Sequence, residues 1–264
     1  MAKVLRINSR EYKLILSADR FADREGGIEA LRDLVRLLTG KLDADMEDQS
    51  ELEVRRTYYL DTPARHLRQA GYALRVRFEE EDGKYKLALK HRAADRYLVG
   101  AKDLSSREDE DKLKFEEDIL PAFRSVFSQS NSIWFESLPK LENLNDAAEI
   151  YPGLGDLEVP GETPLAKVND FEAHEVFCKL CKVKFGKKPK AKLGLSFWYL
   201  TPDDRWPLIA ECAFDYGNKE QNDDSFPTPV VQGANDLFRA LQGQPGWFDL
   251  NATTKTRYVY EGLA

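Results

Sequence analysis

The sequence predicts an α+β fold: an antiparallel β-tunnel of eight strands, closed or nearly closed, with a charged interior and helices packed on the outside. Three observations predict it. Many segments alternate apolar and charged residues at period two, the mark of strands buried on one face only. Amphipathic helices interrupt these strands, and each needs an apolar surface to pack on. The charged positions carry both signs, and one such strand alone would suit the solvated face of an open sheet. With eight strands and several helices, the apolar parity belongs under the helices and the charged parity inside, where an eight-stranded barrel has room for side chains or one small ligand.

The elements follow in order. Residues 4–16 read as a strand, with Tyr12, Leu14 and Leu16 on one face and Ser9, Glu11 and Lys13 on the other. Residues 19–40 read as a helix with Ile28, Leu31, Leu34, Val35 and Leu38 at helical spacing and Gly40 as its stop. EVRRTYYLDTP (53–63) is a strand ended by a turn signal, and Arg65 to Gly71 is a short turn or helix. ALRVRFEEEDGKYKLALK (73–90) is a hairpin: Leu74, Val76 and Phe78 oppose Arg75 and Arg77, Asp82-Gly83 turns the chain, and Tyr85, Leu87 and Leu89 oppose Lys86, Ala88 and Lys90. Residues 91–112 read as loop, and KLKFEEDIL (112–120) resumes alternation. Positions 121–150 read as amphipathic helix with breaks, and 151–164 as loop. Strands follow at about 177–187, 190–200 and 207–216, then a helix at 229–242 and a last strand, TKTRYVY, at 254–260. Without a repeat or a low-complexity linker, residues 1–264 are expected to form a single tunnel domain with a helical or loop insertion around 121–176.

The totals limit the function classes. The chain has 264 residues, 42% of them hydrophobic and 32% charged, which suits a soluble globular protein. No apolar run reaches the roughly 18 residues of a membrane helix, and the opening MAKVLRINSREYK lacks the core of a signal peptide. Three cysteines argue against a disulfide framework and for a cytoplasmic setting. A net charge of -7 disfavours general nucleic-acid binding, so the basic residues that matter act locally.

Several segments together resemble the CYTH domains, the triphosphate tunnel metalloenzymes. SREYK (9–13) is similar to their opening E-x-E-x-K signature, with Ser9 where the family has its first glutamate. YYLDTPARHLRQAGYALRVR (58–77) resembles their tyrosine-Asp-Thr-Pro turn and L-R-x-R strand, LALK (87–90) their T-x-K strand, and KFEED (114–118) their basic-x-Glu-x-acid strand. IAECAFD (209–215) resembles a late acidic strand, with Ala213 where an acid is expected, and TKT (254–256) takes the place of a closing lysine. KLGLSFWYL (192–200) lacks the family's aspartate, and CKLCKVKFGKK offers lysines where an arginine is expected. The resemblance implies an eight-stranded antiparallel tunnel that binds a triphosphate through Arg and Lys and a divalent metal through carboxylates. Family activities include hydrolysis of tripolyphosphate or thiamine triphosphate and cyclic AMP synthesis.

On that basis the expected function is metal-dependent hydrolysis of a linear triphosphate, with an anion- or polyphosphate-binding module or a nucleotidyl cyclase as alternatives. Arg75 and Arg77 point the same way and offer planar forks to phosphate oxygens. Lys114, Lys182, Lys184 and Lys255 are further substrate-binding candidates, and Glu11, Lys13 and Lys90 are the catalytic candidates. Glu11, Glu116, Asp118, Glu211 and Asp215 are the candidate ligands for Mg²⁺ or Mn²⁺, hard ions that take oxygen donors. The expected partner is a small-molecule triphosphate or polyphosphate, not a membrane or nucleic acid, and a homodimer stays open. Cys178 and Cys181 form C-x-x-C, but residues three apart on a strand face opposite sides, and a zinc site needs four ligands. His66 and His91 read as surface histidines, and the lysines between 179 and 192 as a solvated strand and turn with a member or two inward. Trp198, Trp206 and Trp247 read as packing for the outer helices, and no P-loop or nucleophile-elbow motif is present.

Overall fold

The structure, a computed structural model, describes residues 6–108, 112–186, 188–217, 226–250 and 254–262. Its strands are β1 (Ser9–Leu16), β2 (Asp45–Asp48), β3 (Leu52–Asp61), β4 (Tyr72–Glu79), β5 (Lys84–Ala93), β6 (Lys112–Leu120), β7 (Arg124–Phe135), β8 (Ala166–Lys184), β9 (Ala191–Tyr199) and β10 (Ile209–Gly217). Its α-helices are α1 (Arg24–Lys41), α2 (His66–Gln69), α3 (Arg96–Gly100), α4 (Leu144–Ile150), α5 (Thr228–Gln242) and α6 (Lys255–Glu261). The strands pair in the order β2-β8-β3-β4-β5-β7-β6-β1-β10-β9, and β9 also pairs with β8. Nine strands therefore form a closed barrel with β2 attached beside β8, where the sequence predicts eight. Strand direction cannot alternate around a closed circuit of odd number. The barrel is mixed, not antiparallel throughout.

Three local expectations need correction, and one short strand was not anticipated. The predicted helix at 121–150 is a strand, β7, followed by the short helix α4. In β7 the core-facing parity includes Gln129 and Asn131, so the apolar alternation that marks a strand is broken there. The predicted last strand, TKTRYVY, is helix α6, whose N-cap Thr254 accepts a hydrogen bond from the Arg257 N–H. The four residues of β2, DMED, have too little apolar content to announce a strand. The predicted loop 91–112 contains α3, capped by Asp95, and residues 109–111 of that loop lie outside the described residues. The first strand starts at Ser9, and residues 4 and 5 of its predicted span are likewise outside.

The chain divides into two compact units, residues 1–53, 117–125 and 174–253 in the first and 54–116, 126–173 and 254–264 in the second. In the first unit β1 pairs antiparallel with β10, β10 with β9 and β9 with β8. The apolar parity of these strands meets Ile28, Leu31, Val35 and Leu38 of α1 and Val230, Ala234, Leu237, Phe238 and Leu241 of α5. The Asp23 carboxylate starts α1 by accepting the Gly26 N–H. Tyr12 stacks on Phe214 with ring centroids 4.6 Å apart. Leu31 is completely buried here, and its replacement by alanine would cost about 2–5 kcal/mol.

In the second unit β3, β4, β5 and β7 pair antiparallel in that order. Gly83 turns the β4–β5 hairpin at a φ of 63°, a conformation glycine adopts without strain. Leu74, Val76, Leu87, Leu89 and Ile133 form the apolar side and pack on Leu144, Ala147 and Ile150 of α4. An Asn143–Asp146 capping box begins α4. Just past this helix the buried Tyr151 hydroxyl donates to the Leu87 and Asn131 carbonyls at 3.2 and 3.3 Å. The Asp61 carboxylate accepts the Thr62, Leu67 and Arg68 N–H groups and the Tyr260 hydroxyl, which joins the Asp-Thr-Pro turn, α2 and α6. Among the described residues no helix is long and apolar enough to cross a membrane.

Candidate functional site

Directly paired residues on neighbouring strands share a face, so register alone lays out the second unit's charged side. One row runs Thr57, Arg77, Lys86, Trp134 across β3, β4, β5 and β7. The next runs Tyr59, Arg75, Ala88, Ser132, and a third sets Ala73, Lys90 and Ser130 together. The opposite parity of the same strands is the apolar core, which fixes this face as the polar one. By register Arg75, Arg77 and Lys90 share one face of the hairpin.

Cations outnumber carboxylates on that surface. The Arg55 Nε donates to Glu79 at 2.7 Å in a buried pair, and Arg77 lies 4.0 Å from the same carboxylate and 3.4 Å from the Thr57 hydroxyl. Lys90 stands 3.9 Å and Lys114 3.2 Å from Glu116, so Glu116 serves two lysines. Arg75 and Lys86 have no carboxylate partner among the described residues. The Lys86 ammonium instead sits 4.9 Å from the Trp134 ring centroid. Burial, with Arg75 and Arg77 beside it, pulls the Lys86 pKa down to about 7. A group made this reluctant to hold its proton gains most from an incoming anion. Lys86 and Arg55 were missed because alternation shows which residues share a face, not which lack a counter-charge. The hydroxyls of Ser130 and Ser132 were hidden by the helical reading of their segment.

The first unit gathers acids around a single lysine. The Lys13 ammonium lies 2.7 Å from Glu11 and 2.9 Å from the fully buried Asp118, both on the unit's polar side. In register, Glu11 faces Asp215, Lys13 faces Ala213, and Ile15 faces Glu211, which in turn faces Ser196. Glu175, almost completely buried on β8 and hydrogen-bonded by Ser196, is an acid the sequence reading did not single out.

These distances test the divalent ion. Among the described residues no three acidic, histidine or cysteine side chains form a group that could hold one. Glu211 and Asp215 are four residues apart on one strand, about 13 Å, too far to share an ion whose bonds are about 2.1 Å long. Glu116 is engaged by lysines in the second unit. Glu11 and Asp118 fit: both already place an oxygen within 3 Å of one cationic atom, the Lys13 ammonium, and Mg²⁺ asks for one or two carboxylates with water and phosphate oxygens as the remainder.

The other sequence candidates lie elsewhere. Lys182 and Lys184 reach Glu47 and Asp45 of β2 at 3.6 and 3.9 Å, and Lys179 and Lys190 are likewise answered by Glu51 and Glu47. Lys187 lies outside the described residues. Lys255 opens α6 instead of standing on a strand. Cys178 and Cys181 do not face opposite sides: a bulge between Lys179 and Cys181 turns both thiols into the first unit's core, where burial pushes them up. His91 is buried, not a surface group, and packs edge-on against Tyr72. Trp198 is buried, Trp247 carries the Arg20 guanidinium at 4.6 Å, and Trp206 is exposed.

A family model described as the CYTH domain matches residues 28–151. Among solved structures, HpAC1 from Hippeastrum, an adenylyl cyclase candidate described with a dominant triphosphatase activity, aligns with a TM-score of 0.54 at 13% identity, covering 97% of this chain and 96% of that one. An adenylate cyclase candidate from Bacillus halodurans aligns with a TM-score of 0.39 at 14% identity, covering 91% and 92%. Another from Vibrio parahaemolyticus has a TM-score of 0.39 at 11% identity, covering 97% and 98%. No curated protein matches the sequence.

Proposed function

A CYTH family model matches residues 28–151 of this chain, and from that premise we propose that the chain binds a linear triphosphate, inorganic or carried by a small organic group, and hydrolyses it. The observation that carries the reading is the surplus of cations on the second unit's polar face, above all Arg75 and Lys86. A triphosphate brings about four negative charges and a chain of acceptor oxygens, which the planar forks of Arg75 and Arg77 can grip in pairs. Lys90 supplies a point charge, and Ser130 and Ser132 offer hydroxyl donors from the neighbouring strand. Glu11 and Asp118 of the first unit are the carboxylates that would hold Mg²⁺ or Mn²⁺, an ion whose chemistry is charge neutralisation and the orientation of water. Lys13 keeps these two carboxylates converged in the meantime. Three cysteines, all free and buried, support a reducing, cytoplasmic setting.

The test is phosphate release from tripolyphosphate, thiamine triphosphate and ATP with Mg²⁺ or Mn²⁺, alongside calorimetric binding of tripolyphosphate. Arg75→Ala should weaken binding about 10- to 100-fold, the loss of a charge-assisted contact. Absence of both binding and release would overturn the proposal. A second reading, a binding module without turnover, is favoured by the ammonium already lodged between Glu11 and Asp118. Binding that survives a chelator, with no phosphate released from any of the three compounds, would establish it.

A further inference from the structure

One row of the second unit's polar face ends differently from the others. β7 offers Ser128, Ser130 and Ser132 opposite Arg92, Lys90 and Ala88, and then Trp134 opposite Lys86. Its next neighbour in the chain, Ile133, is buried in the core, whereas Trp134 is 43% exposed. Tyr59, the other aromatic named on this face, is buried, so a large ring left open to solvent beside cations is unexpected for packing alone. Lys86 lies against the ring and has no carboxylate partner among the described residues, so the row presents an aromatic surface beside two cations, Arg77 and Lys86.

Lengths then separate two parts of the face. Lys90 and Lys86 stand four residues apart on β5, about 13 Å. That is longer than three phosphates joined through shared oxygens can reach. Phosphates held by Lys86 and Arg77 at one end and by the Arg75 row at the other therefore leave the Trp134 ring for whatever they carry.

We propose that Trp134 is a specificity-determining residue: it stacks a flat heteroaromatic group borne by the triphosphate, while Lys86 and Arg77 hold the phosphate nearest that group. This rests on the triphosphate reading above and narrows it to organic triphosphates. Lys86 supports the assignment a second way, since it packs on an indole that is still 43% exposed. Stacking a base on an aromatic side chain contributes roughly 1–3 kcal/mol and tolerates many rings.

The experiment compares ATP, CTP and thiamine triphosphate with methyl triphosphate and inorganic tripolyphosphate by calorimetry, on the full chain and its Trp134→Ala and Trp134→Phe variants. At least one ring-bearing ligand should bind about 5- to 100-fold more tightly than methyl triphosphate. Trp134→Ala should erase that margin, costing tripolyphosphate far less than the ring-bearing ligand, and Trp134→Phe should restore most of it. No margin for any ring in the unaltered chain, or an equal loss for ringed and ringless ligands in Trp134→Ala, would overturn the proposal while the triphosphate reading stands. Failure of tripolyphosphate itself to bind the unaltered chain would overturn both.

Discussion

The two units treat charge in opposite ways. In the first, the one lysine at the centre of the acids, Lys13, is met by Glu11 and Asp118, and Lys182 and Lys184 of β8 are met by β2. In the second, Arg75 and Lys86 have no carboxylate within ion-pair distance among the described residues, Glu79 acting on Lys86 only from farther away, and Glu79 and Glu116 each serve more than one cation. Balanced charge holds a fold together, because removing either partner strands the other. Unbalanced charge is a standing cost to the fold that an anionic ligand relieves. The contrast separates residues whose loss should be read in stability from residues whose loss should be read in affinity.

The largest effect tests the balanced side. Lys13→Met leaves the buried Asp118 without its ammonium, and breaking such a pair costs about 3–5 kcal/mol. Urea unfolding at neutral pH should record that loss, and a change below about 1 kcal/mol would show that the pair is not structural.

Next comes a pH dependence on the unbalanced side. An unfolded lysine keeps its proton to about 10.4, whereas Lys86 in the folded chain sheds it near 7. Between those values the unfolded chain binds more protons, so this group's contribution to stability rises with pH. Ligand binding has the opposite sign. A triphosphate pulls the proton back onto Lys86, so affinity should fall as pH rises above about 7, by as much as tenfold per unit. Calorimetry in buffers of different ionisation enthalpy should show proton uptake, and Lys86→Met should flatten the profile. A profile unchanged by that substitution would remove Lys86 from the anion site.

The smallest effect sharpens the comparison within the second unit. Tyr260→Phe removes one donor to Asp61, which keeps three backbone N–H groups. The expected cost is about 1 kcal/mol in thermal or urea unfolding, with tripolyphosphate affinity unchanged. A fall in affinity would mean that the α6 tether reaches the phosphate face.

Legibility in the sequence followed this same division. The hairpin was readable to within a few residues, because alternation and an Asp-Gly turn carry both its strands and its polar face, although β5 runs on to Ala93 into the predicted loop. β6 was equally plain, with Phe115 and Ile119 buried as the alternation requires. β7 was not, since Gln129 and Asn131 sit where apolar residues would announce a strand. α6 was lost to a short segment of mixed propensity whose place is set by Tyr260 meeting a carboxylate far away in sequence. The site divided along similar lines. Arg75, Arg77 and Lys90 lie on one face by periodicity alone, but convergence of acids is a matter of three-dimensional distance. Of the five predicted carboxylates, Glu11 and Asp118 each place an oxygen within 3 Å of one atom, the Lys13 ammonium nitrogen.

The phenol of Tyr151 has a further implication. It clips β5 to β7 from the greasy rear, at Leu87 and Asn131, while the front of those two ribbons displays Lys86, Lys90, the serines and Trp134. Front and rear share one main chain. Evolution or engineering that retunes ligand choice on the display side is thereby confined to side chains that leave the clip's spacing alone, and a methylene gained behind the wall would be felt by whatever docks in front of it.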